Sequence, residues 1–214
     1  MIEKITKIEI QKKNEDRVNI YINYEYAFSC SKELVYTHKL SNGQQIERDA
    51  LNTIAAEDNY IKCKNSALRI IERTYKSEKE LFDKLFEKGY DDQTIEKTIE
   101  FLKNYSFLND STFTKMYIKD KIKTQGKNKI KFTLIKKGIS EEIINNELQE
   151  LNTEDQNDTI MTLAEKKYKT LQKNEQDSRK LYKKLADFLI RKGFQWEEVK
   201  PALKHLLNED SFEE

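Results

Sequence analysis

The stretch SEKELFDKLFEKGYDDQTIEKTI, residues 77–99, decides the fold. Leu81 and Leu85 stand eight and four residues before Gly89, and Ile95 and Ile99 stand six and ten after it. Apolar residues four apart on either side of a glycine describe two short amphipathic helices joined by a tight turn. The same pattern returns twice. Lys137-Gly138-Ile139 has Ile130 and Leu134 before it and Ile144 and Leu148 after it; Lys192-Gly193-Phe194 has Leu185 and Leu189, then Val199 and Leu203. A period of about 50 residues met three times marks a helical repeat array, which makes binding surfaces more readily than deep catalytic pockets.

Local signals place the helix ends. Ser77-Glu78-Lys79-Glu80 is a capping box, in which the Ser77 hydroxyl accepts from the Glu80 amide and the Glu80 carboxylate reaches back. Gly89, Gly138 and Gly193 supply the left-handed residue that ends a helix. Asp91 and Ser140 are good N-caps, whereas Gln195 in the matching place caps poorly, and Pro201 predicts a bend or a late start in the last helix. Asn109-Asp110-Ser111, with Asp110 as the cap, opens a helix over 111–124 that Gly126 breaks. Further helices are expected at 127–137, 140–150, 159–173, 178–192 and 196–207. Asn152 to Asp158 reads as a flexible acidic joint, and Glu209 to Glu214 as an acidic frayed tail.

The first 45 or so residues differ. Ile5, Ile8 and Ile10, then Val18, Ile20 and Ile22, flank a polar turn at residues 12–16, which predicts a pair of strands. Tyr24, Tyr26 and Phe28 extend the sheet in this reading, and Asn42-Gly43 is a second turn. A lone hairpin is marginal in water, so it needs a helix or a third strand to pack on. The expected protein is mainly α, with tandem three-helix repeats in an elongated array and a small N-terminal β-hairpin module. Its expected divisions are a β module at 1–45, a linker helix at 46–59, and repeats at 60–108, 109–151 and 158–208.

A net charge of +1 hides segregation. Lysines stand at 115, 119, 121, 123, 127, 129, 131, 136 and 137 against Asp120 alone. A second basic block runs from Lys166 to Lys192, and between them Gly138 to Glu165 carries acids and no Lys or Arg. Lys115, Lys119 and Lys123 share a helical face by their spacing of four, as do Lys127 with Lys131 and Lys180 with Lys184. Like charges at that spacing cost helix stability unless an anion relieves them, so Lys115, Lys119, Lys123, Lys127, Lys129, Lys131, Lys180, Lys183 and Lys184 are candidates for polyanion contact. The bland alternative is a solvated face on a lysine-rich chain. Tyr117, Tyr168 and Tyr182 interleave with the lysines as stacking groups would, although helix packing accounts for them more simply.

Nothing in the sequence assembles a catalytic or metal site. His38 and His205 lie in different modules, and Cys30 and Cys63 are isolated thiols expected to be buried or inert in a reducing compartment. Gly126-Lys127-Asn128 lacks the first glycine and the Ser/Thr of a phosphate loop. No cofactor is expected. With no apolar run long enough to span a membrane and no secretory start, the cytoplasm is the default location.

A family resemblance joins these residues. Arg73, Ser77, Glu80-Leu81, Leu85 and Gly89-Tyr90, followed by Phe107-Leu108-Asn109-Asp110 and Phe113, resemble the first-repeat signature of the RecX family. Gly126, Ile130, Leu134 and Gly138-Ile139 resemble the second. Arg17 to Ile22, with Tyr26-Ala27-Phe28 and Asn42-Gly43, is similar to the leading segment of longer members from Gram-positive bacteria. Thr114 departs from the pattern, since alanine often follows the phenylalanine there. The resemblance implies three-helix repeats and a non-enzymatic regulator that binds the RecA filament and limits its ATP hydrolysis, growth and strand exchange. It also implies single-stranded DNA as a partner, with double-stranded DNA as a further candidate; a monomeric chain is expected. The runner-up is a general nucleic-acid-binding helical protein acting through its lysines; a scaffold with incidental basic helices is the third.

Overall fold

A computed structural model describes residues 2–150 and 153–207, with the backbone alone described at 153–156. In chain order the strands are β1 (Ile2–Gln11), β2 (Asn14–Ile22), β3 (Glu25–Ser31) and β4 (Gln45–Glu47). The helices are α1 (Lys32–Thr37), α2 (Arg48–Arg73), α3 (Glu78–Phe86), α4 (Asp92–Asn104) and α5 (Asp110–Lys121), then α6 (Lys127–Lys136), α7 (Glu141–Gln149), α8 (Thr153–Leu171), α9 (Ser178–Arg191) and α10 (Trp196–Leu207). The chain divides into two compact units, Met1–Thr74 with Leu81–Phe107, and Tyr75–Glu80 with Leu108–Glu214.

In the first unit the hairpin has grown into a four-stranded antiparallel sheet of order β3-β2-β1-β4. Val18, Ile20 and Ile22 of β2 all face inward, as their alternation requires. In β1 the register slips between Ile5 and Lys7, and that irregularity lets Ile5 and Ile8 face the same core despite a spacing of three. The other wall of this core is α2. Where the sequence suggests a linker helix at 46–59 ahead of a first repeat at 60–108, one helix runs from Arg48 to Arg73. Its first half buries Leu51 and Ile54 against the sheet, and its second half buries Cys63 and Ala67 and packs on α4.

Asp58 sits between these halves and is 2% exposed. Arg17 donates to both of its carboxylate oxygens, at 3.1 and 2.9 Å. The Ser31 amide donates at 2.9 Å, and Lys62 pairs with it at 2.7 Å. Burial opposes the charge on Asp58, but the hydrogen bonds from Arg17 and Lys62 outweigh it and hold the carboxyl below its ordinary range. Arg17 also donates to the Ser29 carbonyl, so this cluster ties β2 and β3 to α2. Cys30 beside it is fully buried, and burial pushes its thiol up to about 11. Both cysteines are free.

The repeat helices follow the sequence closely. Leu81 and Leu85, Ile130 and Leu134, and Leu185 and Leu189 are buried. After each glycine Ile95, Ile144 and Val199 are fully buried, while Ile99 and Leu148 are half-buried; in the first repeat Thr98 and Leu102 take the inner face instead. The capping box at Ser77 forms in both directions, at 3.2 and 3.3 Å. The three glycines end their helices with φ of +88°, +86° and +93°. In each turn the hydrophobic residue after glycine donates to a carbonyl five residues back, Tyr90 to Leu85, Ile139 to Leu134 and Phe194 to Leu189. Those bonds satisfy carbonyls that a helix end leaves open.

Other details differ. Asn109, not Asp110, caps α5; Asp110 is the first helical residue, and its carboxylate accepts the Glu78 amide at the start of α3, at 2.9 Å. The stretch expected to be a flexible joint is helical from Thr153 onward; Leu151 and Asn152 lie outside the described residues, as does the acidic tail at 209–214. Helix α10 starts at Trp196 and includes Pro201 without a late start, and Glu198 accepts the Gln195 amide in place of a side-chain cap. Buried Thr114 donates its hydroxyl to the Asp110 carbonyl at 2.7 Å, so the polar atom that replaces an alanine methyl is satisfied within its own helix.

Gly126 has a different purpose from the other glycines. Its φ is −77°, which any residue adopts, and it is the N-cap of α6. A Cβ there would run into the backbone of Gly193 and Phe194. The Gly126 amide donates to the Lys192 carbonyl at 2.9 Å and the Asn128 amide to the Gly193 carbonyl at 3.2 Å. Helix α6 therefore begins on the turn between α9 and α10. Helix α3 begins likewise on the turn between α6 and α7: Ser77 Oγ donates to the Lys137 carbonyl at 2.6 Å, and Glu80 pairs with the Lys137 ammonium.

Two outcomes follow from these contacts. Gly89→Ala and Gly193→Ala share the left-handed strain of about 1–2 kcal/mol, yet only the second drives a methyl into Lys129. Urea unfolding should therefore show Gly193→Ala losing more than Gly89→Ala, by an overpacking increment of about 1–3 kcal/mol. Asp58→Ala should cost about 3 kcal/mol by stranding Arg17 in a half-dry site. Because the folded Asp58 carboxyl titrates below its unfolded value, its contribution is complete above the unfolded pKa and lost as pH falls through the folded one. The stability advantage of the wild-type chain over Asp58→Asn should hold at neutral pH and shrink below about pH 4, the ordinary Asp range.

Candidate nucleic-acid interface

The lysine block of residues 115–137 is spread over α5, the turn after it, and α6, and the fold sorts its members by partner. Lys115 reaches Glu147 at 3.6 Å and Glu150 at 4.0 Å, both from α7 or its C-cap. Lys131 pairs with Glu141 at 2.7 Å and donates to Asn145 at 3.2 Å. Lys121 pairs with Asp120 at 2.7 Å. Lys137 is bound to Glu80, and its ammonium also lies 5.7 Å from the rings of both Phe113 and Tyr117, so it pins the junction between α3 and the turn. In the second block Lys180 pairs with Asp177 at 3.7 Å and Lys184 with Glu175 at 2.8 Å. The hydrogen bond from Lys184 holds the Glu175 carboxyl below its usual range.

Lys119, Lys123, Lys127, Lys129 and Lys183 form no ion pair among the described residues. Lys119 and Lys123 are exposed, although Lys123 lies in the turn beyond α5 and does not continue its helical face. Lys127 is the first residue of α6 and is half-buried, and Lys129 stands two residues further on, its own backbone against Gly193. Lys119, Lys123, Lys127 and Lys129 thus follow one another along one stretch of backbone; Lys136, also without an ion pair among the described residues, ends α6, and no acid on that helix neutralises them. Lys183 is exposed on α9.

The interleaved tyrosines are packing groups. Tyr117 stacks on Phe113 with centroids 6.1 Å apart, Tyr168 and Tyr182 pack on the third-repeat core, and Tyr182 meets Trp196 edge-on. The exposed aromatic on the basic stretch is instead Phe132, which is 59% exposed, with the Lys136 ammonium 4.5 Å from its ring. Phe132 sits three residues after Lys129 and four before Lys136, on one face of α6. A flat apolar ring flanked by cations can stack a base while the cations meet its phosphates. The sequence signal for it was present, an aromatic at helical spacing among lysines, but only burial separates it from the packed tyrosines.

Among the described residues no group of His, Cys, Asp and Glu is arranged to hold a metal ion. His38 hydrogen-bonds Glu57 at 2.7 Å, and His205 lies with Met161, Pro201 and Glu197 around a cavity of about 500 Å³ beside α8 and α10. No helix among the described residues is long and apolar enough to cross a membrane.

Comparison with known proteins accounts for most of the chain. Family models match in order: the regulatory protein RecX N-terminal domain at residues 3–47, and the first, second and third three-helix domains of RecX at 63–102, 109–148 and 154–203. The regulatory protein RecX of Clostridium tetani (strain Massachusetts / E88) is 50% identical over 209 residues, 98% of this chain and 97% of that one. Its counterpart from Clostridium perfringens (strain 13 / Type A) is 49% identical over 98% of this chain and 99% of its own. A crystal structure of regulatory protein RecX has the same fold, with a TM-score of 0.72 at 24% identity over 96% of this chain and 98% of that chain. RecX from Lactobacillus salivarius aligns with a TM-score of 0.62 at 26% identity over 70% of this chain and 97% of that chain. The three glycine turns, the capping box and the leading sheet all fall inside these matches: the chain belongs to the RecX family of regulatory proteins.

Proposed function

We propose that this protein regulates the RecA recombinase by binding its filament on single-stranded DNA, slowing ATP turnover, filament growth and strand exchange without catalysis of its own. The observation that carries this reading is membership of the RecX regulatory family along nearly the whole chain. In this reading the protein acts as a monomer in the cytoplasm and needs no cofactor. DNA contact is assigned to Lys119, Lys123, Lys127 and Lys129 with Phe132, and Lys183 is a further contact. Single-stranded DNA uses both the cations and the ring; double-stranded DNA, whose bases are stacked, uses the cations alone. Lys115, Lys131, Lys180 and Lys184 contribute less, because a phosphate must displace Glu147, Glu141, Asp177 or Glu175 to reach them.

An ATPase assay with RecA on single-stranded DNA checks the regulatory reading. Turnover should fall at well below one molecule per RecA, and inhibition should persist when spare single-stranded DNA is added. Loss of inhibition on adding spare DNA would leave general DNA coating as the explanation. Salt dependence checks the interface. Changing Lys119, Lys123, Lys127 and Lys129 to Gln should flatten the log–log salt slope for single-stranded DNA by about 0.7 for each phosphate no longer neutralised. The paired set, Lys115, Lys131 and Lys184 changed to Gln, should leave it nearly unaltered. Phe132→Ala should weaken single-strand binding by about 1–3 kcal/mol while leaving the slope in place.

A further inference from the structure

The three Lys-Gly turns share three backbone hydrogen bonds, from the lysine and glycine amides to carbonyls three residues back and from the next amide to one five back, and two of the turns carry a helix N-terminus on their outer face. On Lys137-Gly138 sits α3: Ser77 Oγ donates to the Lys137 carbonyl at 2.6 Å, and the stem of Lys79 lies against Gly138, where a Cβ would come within 2.5 Å of it. On Lys192-Gly193 sits α6: the Gly126 and Asn128 amides donate to the Lys192 and Gly193 carbonyls, and Lys129 lies against Gly193. Both occupants share a chemistry. Each is the electropositive first turn of a helix, set against carbonyls at the electronegative end of another. Each has a small N-cap, Ser77 or Gly126, followed two or three residues later by a lysine whose stem covers the glycine.

The first turn, Lys88-Gly89, is built on the same shared bonds but carries no helix start among the described residues. Gly89 has the same φ of +88°, and a Cβ built there meets no atom within 4 Å. Residues 86–89 are exposed, Phe86 at 58%. Among the described residues no hydrogen bond from another element reaches the carbonyl of Lys88 or Gly89.

We propose that the Lys88-Gly89 turn is a docking socket for a helix N-terminus of a partner protein, one with Ser or Gly as N-cap and a lysine two or three residues on. A second copy of this chain is a poor occupant. The helix start left over in the series is that of α9, and its N-cap is Asp177, whose carboxylate already accepts the Arg179 and Lys180 amides. Docked on the socket, that carboxylate would face carbonyl oxygens of like sign. The socket follows from the three turns and is independent of the RecA reading.

The test uses the full chain, labelled with nitrogen-15, and a lactam-stapled helical peptide of sequence YKSEKELFDKLF, which reproduces the α3 start at residues 75–86. The Gly89 amide signal should shift on titration and saturate with a Kd no weaker than ~1 mM. A peptide carrying Asp in place of its Ser should bind about tenfold more weakly, from the unfavourable charge at the contact. Gly89→Asn in the protein tolerates positive φ and places a side chain where the lysine stem would lie. That variant should keep its thermal transition and lose the peptide. A Gly89 signal unmoved at saturating peptide, or equal binding of the Ser and Asp peptides, would overturn the socket. A wild-type chain that sediments as a dimer while Gly89→Asn sediments as a monomer would overturn the choice of a different protein as occupant.

Discussion

The contact between a helix N-terminus and a glycine turn organises the second unit. A Schellman turn ends each middle helix and leaves carbonyls facing outward, and a helix of four or fewer turns leaves several amides open at its start. Setting one against the other satisfies both and opposes the two dipole ends. The requirement is steric: the approach is so close that neither Gly126 nor Gly193 leaves room for a Cβ. Asp110 and Lys137 add charge to the same kind of joint by capping Glu78 and pairing with Glu80. The Lys-Gly-hydrophobic motif is therefore a turn and a platform at once.

In the first unit the comparable constraint is the charge of Asp58. A carboxylate buried this deeply survives only with full hydrogen bonding, and Arg17, Lys62 and the Ser31 amide supply it. The arrangement fixes where α2 lies on the sheet, with Leu51 and Ile54 on one side of Asp58 along the helix and Cys63 and Ala67 on the other. The helix thus contributes to the sheet core and to the first three-helix domain without interruption.

The basic stretch shows why a charge run is a weak guide to a binding face. Lysines at 115, 119 and 123 are equivalent by spacing, yet Lys115 is neutralised by α7, and Lys123 lies beyond the end of α5. The acids that neutralise lysines, Glu141, Glu147 and Glu175, belong to helices or turns distant in sequence from the lysines they meet or to stretches whose pairing no periodicity shows. Among the described residues of this stretch, unpaired Lys119, Lys123, Lys127 and Lys129 lead into or open α6, and unpaired Lys136 ends it beside the exposed Phe132.

The repeats, their helix ends and most of their cores were legible because each depends on residues within about ten positions: a four-residue apolar spacing, a capping serine, a glycine with positive φ. Family membership was legible for the same reason, since its signatures are these local marks. What the chain could not reveal alone were relations between segments far apart. Asp110 reads as the cap of its own helix and serves another, because the amide it meets is 32 residues away. Gly126 reads as a breaker and is a spacer, because its neighbour is Gly193. Phe132 and Tyr117 read alike, and burial alone separates them. Sequence determined the helices and their turns through short-range backbone chemistry. Which lysines lack an ion pair and which turn lacks a helix start, among the described residues, depends on long-range proximity, and only the tertiary structure decided it.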